Sequence, residues 1–113
     1  KRNTIVEVNM NIFDLKKFEN FENNEEIITI LEKNKNIKIE RIISEGQTTD
    51  WQSCDKNEFV ILVQGNAEIT YFKNSEIVKL SSGDTLLIKK NKKHKVSYTS
   101  KNPHCVWICI FYN

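Results

Sequence analysis

From residue 37 onward, hydrophobic and polar positions follow a period of two. Ile37, Ile39, Arg41 and Ile43 alternate with Lys38, Glu40, Ile42 and Ser44, as expected for a strand whose faces meet different surroundings. Residues 59–63 form an unbroken apolar run that stops at Gln64-Gly65-Asn66, after which Ala67-Glu68-Ile69-Thr70-Tyr71-Phe72 reads as another strand. The Gly-Asn pair between them predicts a tight hairpin. Lys73-Asn74-Ser75-Glu76 predicts a second turn, leading into Ile77-Val78-Lys79-Leu80, and Ser81-Ser82-Gly83-Asp84 a third, ahead of Thr85-Leu86-Leu87-Ile88. Residues 95–99 and 106–112 supply two further strands on either side of Pro103, and the β-branched stretch 27–31 one more. Some eight short strands, spaced at roughly 8–12 residues, predict an all-β closed barrel or sandwich. Closure removes the open edges that would otherwise pair with other chains.

The beginning of the chain reads differently. Residues 1–9 are an extension or an edge strand, and residues 11–24 are polar with Phe13, Leu15, Phe18 and Phe21 scattered among them. That spacing can bury a few rings in an irregular arm or a short helical turn. The expected division is therefore an N-terminal arm over residues 1–26 and a β-barrel domain over 27–113.

Composition narrows the classes. With 113 residues, 39% hydrophobic and 28% charged, the chain is one globular domain, able to bury roughly two-thirds of its unfolded surface. Its 3 Gly and 1 Pro exclude collagen-like and low-complexity classes. No apolar run is long enough to cross a bilayer as a helix, and no signal-peptide pattern opens the sequence. The net charge of +2 is too small to hold nucleic acid across a whole face. The charge is uneven: residues 1–50 carry a net −2 and residues 51–113 a net +4. Much of the excess lies in Lys89-Lys90-Asn91-Lys92-Lys93-His94-Lys95. No aromatic interleaves those lysines in sequence. They read as a solvated turn or as a collector of anions, with nucleic-acid binding the weakest alternative. Cys54, Cys105 and Cys109 match no zinc or CxxC spacing, so the expectation is three reduced thiols in a cytoplasmic protein.

Two turn-centred stretches carry a resemblance. Gly46 is followed at fixed spacings by Gln52, Cys54, Glu58 and Gly65, and Gly83 by Lys89, Asn91, His94 and Tyr98. These spacings resemble the two motifs of the cupin superfamily, G-x5-H-x-H-x3/4-E-x6-G and G-x5-P-x-G-x2-H-x3-N. Ile39-Glu40-Arg41-Ile42-Ile43-Ser44, Trp51, Asn57-Glu58-Phe59-Val60, Gln64-Gly65-Asn66-Ala67, His94-Lys95-Val96 and Val106-Trp107 further resemble small bacterial single-domain cupins. The resemblance spans residues 37–112 and implies an antiparallel double-stranded β-helix, the jelly-roll barrel. It also implies a homodimer, often formed by exchange of N-terminal strands.

The same resemblance implies a divalent-metal site (Zn, Fe, Mn or Ni) at the positions of Gln52, Cys54, Glu58 and His94. Only Glu58 and His94 keep the family's residue types. Gln52 is a weak neutral oxygen donor and Cys54 a strong one only as thiolate. A Cys/Glu/His trio suits Zn²⁺; the alternative is a barrel without a full metal site, in which Glu58 and His94 hydrogen-bond each other or water. Parity adds neighbours. With Glu58 inward, Val60, Leu62 and Gln64 share its face, while Phe59, Ile61 and Val63 face outward; with His94 inward, so do Val96 and Tyr98. Glu58, His94, Gln64 and Tyr98, with Trp51 at the mouth or packed beneath a loop, thus outline a pocket for a small polar or anionic ligand, with ordinary core filling the alternative for Gln64 and Tyr98. Three functions follow: a small-molecule-binding barrel, a metal-dependent enzyme acting on a small acid or sugar, or a basic interaction module working through Lys89–Lys95. The outward apolar strand face is the expected dimer surface, and His104 is expected to be exposed.

Overall fold

The computed structural model describes residues 3–6 (backbone), 9–15 and 25–113. Nine strands run through them: β1 (Asn3–Val6), β2 (Ile27–Lys33), β3 (Ile37–Ser44), β4 (Asn57–Gln64), β5 (Asn66–Tyr71), β6 (Ile77–Ser81), β7 (Thr85–Ile88), β8 (His94–Thr99) and β9 (Cys105–Tyr112). One sheet has the order β1-β2-β3-β9-β4-β7 and the other β6-β5-β8. The two face each other across one apolar interior built from Ile28, Ile42, Val60, Leu62, Ile69 and Trp107, among others. All pairings are antiparallel except β1 with β2. No helix long and apolar enough to cross a membrane occurs among the described residues.

The turn at Gly65 is not a hairpin. β4 pairs with β9 and β7, whereas β5 pairs with β6 and β8, so the chain crosses from one sheet to the other at this glycine. Gly65 has φ +104°, and a Cβ there would come within 2.8 Å of Cys105 Sγ. A left-handed backbone and the absence of a side chain are both required. The turn at 81–84 is the matching crossing from β6 to β7. The two corners are tied together, since the Gly65 N–H donates to Ser82 Oγ at 2.9 Å and the Gly83 N–H to the Leu62 carbonyl at 2.6 Å. Of the three predicted turns, only the one at 73–76 closes a hairpin, β5–β6.

The larger sheet buries residues on both faces. On β3 the more polar parity (Lys38, Glu40, Ile42, Ser44) faces the barrel interior, and Arg41 and Ile43 lie on the outer side. There Ile27, Thr29, Arg41, Ile43 and Val106 are each fully buried, although none belongs to the interior cluster. The Arg41 guanidinium explains part of this layer. Its Nη1 donates to the carbonyls of Ile12 and Asp14, and its Nη2 to Thr29 Oγ1 at 3.1 Å. A buried guanidinium needs such acceptors, so residues 9–15 are held across the outer face by a charge. Rings do not do this: Phe13 and Leu15, expected to help bury the arm, are exposed. Phe18 and Phe21 lie outside the described residues. Replacing Arg41→Ala is expected to cost about 2–3 kcal/mol in urea unfolding and to open residues 9–15 to limited proteolysis. Unchanged stability and cleavage would show that the arm is held by other contacts.

Candidate functional site

β9 lies between β3 and β4, and its ladders align three inward rungs. Lys38, Phe111 and Glu58 form the first, Glu40, Cys109 and Val60 the second, and Ile42, Trp107 and Leu62 the third. Successive rungs are two residues apart, roughly 7 Å along the strands. Chemistry therefore changes with depth: a charged mouth, then a carboxylate and a thiol, then an apolar floor.

Opposite Glu58, the smaller sheet contributes His94, which is 4% exposed. Its backbone is fixed by two bonds with Gln52, the His94 N–H to the Gln52 carbonyl at 2.9 Å and the Gln52 N–H to the His94 carbonyl at 2.8 Å. Nδ1 lies 2.8 Å from the Lys92 carbonyl. A carbonyl can only accept, so Nδ1 carries the hydrogen. Nε2 is then the atom turned toward Glu58, 3.9 Å from its Oε1. That separation is too long for a direct hydrogen bond and suits one oxygen atom accommodated between the two groups.

Around this pair is a small cavity of about 40 Å³. Ile42, Val60, Ile69, Ile88, Val96 and Trp107 make its walls apolar, and Glu26, Glu58, His94 and Cys109 give it polar points. An outer recess shares Ile42, Gln52, Glu58 and His94 with the cavity and adds Lys38, Glu40, Cys54 and Phe111. Two carboxylates, Glu26 and Glu58, stand among its polar lining residues. Burial pushes the Cys109 thiol well above its ordinary value, and Glu58 and Glu40 push it further, Glu58 also through a side-chain hydrogen bond. Tyr71 is raised first by burial and then by Glu76 and Glu58.

Two predicted pocket residues face elsewhere, each because of a bulge. Ile69 pairs with Val96 but Glu68 pairs with Tyr98, leaving Ser97 as an extra residue. The alternation inverts there, and Tyr98 turns outward, 46% exposed. On β4 the register with β9 slips between Leu62 and Gln64, so Gln64 leaves the inward parity and its Nε2 donates to the His104 carbonyl at 3.0 Å. His104 itself, expected to be exposed, is half-buried. Trp51 does not line the cavity: it is 38% exposed and meets Phe72 edge-on with centroids 5.2 Å apart. Of the four residues matched to metal-ligand positions, Glu58, His94 and Gln52 adjoin the cavity, whereas Cys54 lines only the outer recesses. Among the described residues no three His, Cys, Asp or Glu side chains form a group able to hold a metal ion. The residues present therefore do not fit the four-ligand site that the resemblance implies.

Sequence reasoning missed Glu40 and Cys109. The signal was there, because Glu40 shares parity with Ile42, and Cys109 with Trp107. The lysine run also differs from its linear reading. Lys92, Lys93 and Lys95 place their ammonium groups over the rings of Tyr71, Phe72 and Trp51 at 3.9, 4.4 and 4.5 Å. Aromatics distant in sequence do interleave these lysines in space.

No family profile and no curated protein matches the sequence. Solved structures do. A candidate mannose-6-phosphate isomerase from Ralstonia eutropha JMP134 is 28% identical and covers 93% of this chain and 97% of its own, with a TM-score of 0.81. A cupin superfamily protein from Desulfitobacterium hafniense DCB-2 is 17% identical over 79% of this chain and 78% of its own, TM-score 0.70. Bacillus subtilis oxalate decarboxylase, described with Mn(II) centres, is 15% identical over 69% of this chain and 21% of its own, TM-score 0.61. The barrel is a cupin barrel, and the chain has the fold of the cupin superfamily.

All three cysteines are free. In the folded protein, half-buried Cys54 is expected to react with a thiol reagent, and Cys105 and Cys109 only after unfolding, as mass spectrometry of the labelled protein would show. Because the folded Cys109 thiol keeps its proton beyond the ordinary value of 9.0, the unfolded chain releases that proton first as pH rises. Stability from this group is complete below about pH 9 and is lost above it. Cys109→Ala should flatten the decline in melting temperature that begins there; an unchanged slope would remove Cys109 as its source.

Proposed function

We propose that this chain is a small-molecule-binding cupin barrel that takes a compact polar ligand between Glu58 and His94 without a full metal site. The observation that carries this reading is the oriented pair itself: Nε2 of His94 facing a carboxylate across 3.9 Å, inside apolar walls. A ligand carrying two neighbouring hydroxyls can donate one to the Glu58 carboxylate and the other to Nε2 of the imidazole. The Glu26 and Glu58 carboxylates in the lining favour an uncharged, hydrogen-bond-donating group there. The likeness to a candidate sugar-phosphate isomerase supports a hydroxylated ligand. A second reading, a metal-dependent enzyme acting on a small acid or sugar, has one observation in its favour: Nδ1 is tied to a carbonyl while Nε2 faces a carboxylate, the orientation of a ligating imidazole. The cytoplasm, where thiols stay reduced, is the setting this reading assumes.

In a thermal-shift panel of small hydroxylated compounds, the stabilising ones should lose their effect in both Glu58→Gln and His94→Gln, with the variants themselves still folded. Retained shifts would move the ligand elsewhere. Elemental analysis separates the readings: stoichiometric Zn, Fe, Mn or Ni, lost together with melting temperature under chelator, would favour the enzyme.

The same reading includes a homodimer formed through the outer face of the larger sheet. There Ile39, Phe59, Ile61, Ile108 and Ile110 remain only half-buried, and Leu87 is exposed. Light scattering at micromolar concentration should give twice the chain mass, and Phe59→Glu with Leu87→Glu should halve it. A monomeric wild type would overturn the dimer.

A further inference from the structure

The outer side of the smaller sheet carries groups that the barrel interior does not use. His94 is buried against the cavity, so alternation sends Lys93 and Lys95 to the opposite side. Two backbone contacts bring rings to them. Gln52 is bridged to His94, which sets Trp51 alongside, and the Phe72 N–H donates to the Lys93 carbonyl at 3.0 Å. Cations and rings then alternate in space. Lys93 Nζ lies 4.4 Å from the centre of Phe72 and Lys95 Nζ 4.5 Å from that of Trp51, and the two rings meet edge-on at 5.2 Å. Lys92 Nζ, 3.9 Å over the buried Tyr71 ring, adds a third charge. Tyr98, turned outward by the bulge at Ser97, stands farther along β8, roughly 10 Å beyond Lys95.

The protein itself satisfies neither the charges nor the rings. Among the described residues, none of these three ammonium groups has a carboxylate within ion-pair distance. A recess of about 260 Å³ beside them is lined by Tyr71, Phe72, Lys73, Asn91, Lys92 and Lys93, with no acidic side chain. Asp50 and Glu76 flank the patch in sequence, and both are exposed. Phe72 is 54% exposed, and Trp51 and Tyr98 are exposed as well. Cation–π contacts at exposed sites are weak, so each lysine can leave its ring for an anionic oxygen, a stronger partner.

We propose that this surface binds single-stranded nucleic acid, bases stacking on Trp51, Phe72 and Tyr98 and phosphates meeting Lys92, Lys93 and Lys95. Each nucleotide brings one flat π face and one negative charge, the same alternation that the rings and lysines present. An acidic peptide supplies the charge without the flat face. A duplex keeps its bases stacked in parallel, and rings set at 90° to each other cannot both meet them. A single strand swivels between units and can serve both. The small net charge of the whole chain does not oppose this, because only charges within about 10 Å act at 0.1 M salt.

The test uses three dye-labelled probes on the full chain, followed by anisotropy across a salt series: oligo(dT) of about twelve nucleotides, a duplex of the same length, and a polyglutamate peptide. At low salt the single strand should bind about tenfold or more tightly than either competitor. The logarithm of its affinity should fall against the logarithm of salt with a slope of about −2, as three phosphate contacts require. Trp51→Ala/Phe72→Ala should weaken the strand about tenfold at an unchanged slope. Lys92→Gln/Lys93→Gln/Lys95→Gln should instead bring the slope close to zero. If the double ring variant does not fold, Phe72→Leu, which keeps apolar bulk without a flat face, should still weaken the strand. No strand binding at low salt, a duplex or peptide bound as tightly, or an affinity that survives loss of the rings would each overturn the proposal.

Discussion

The arrangement of this barrel depends on the register of β9. That strand pairs with β3 on one side and β4 on the other, so one ladder decides which residues of all three strands face inward. A one-residue slip would send Phe111, Cys109 and Trp107 to the outer face and bring Ile110, Ile108 and Val106 inside. Its mixed neighbours pin the register. Trp107 and Cys109 pack in the interior cluster, while Val106 is buried in the outer layer with Ile43 and Arg41. Both faces of the strand are thus specified, one by the core and one by the layer beneath the arm.

Much of the fold was legible because alternation and turn chemistry are local. The strands over 37–44, 59–63 and 77–80 lie where apolar periodicity put them, and the cupin spacings anticipated the barrel. The partners of those strands were less legible. Gly65 carries every local mark of a hairpin, yet its left-handed backbone serves a corner between sheets. What distinguishes the two is the closeness of Cys105, forty residues later, which no local pattern encodes.

The candidate site follows the same division. Motif spacing marks Glu58 and His94 in the sequence, and the structure sets them on facing sheets. Tyr98 and Gln64 were misassigned because parity was carried across Ser97 and Val63, where one additional residue reverses the faces. Bulges depend on how two strands accommodate each other, so a single strand's sequence does not announce them. Glu40 and Cys109 were overlooked for the opposite reason: their parity was readable, but neither residue belongs to a recognised motif. The lysine run shows a third kind of failure, since Trp51 and Phe72 come from other loops and meet Lys95 and Lys93 only in space.

The two indoles occupy opposite environments. Trp107 forms part of the cavity wall and is almost wholly removed from water, whereas Trp51 lies at the surface against Phe72 beneath Lys95. The fold has therefore divided its intrinsic fluorescence into an interior emitter, blue-shifted and sheltered from ionic quenchers, and a surface emitter that iodide can reach. Anything that enters the barrel perturbs the first, and anything that touches the lysine-covered outer surface perturbs the second, so the molecule carries its own optical means of telling the two events apart.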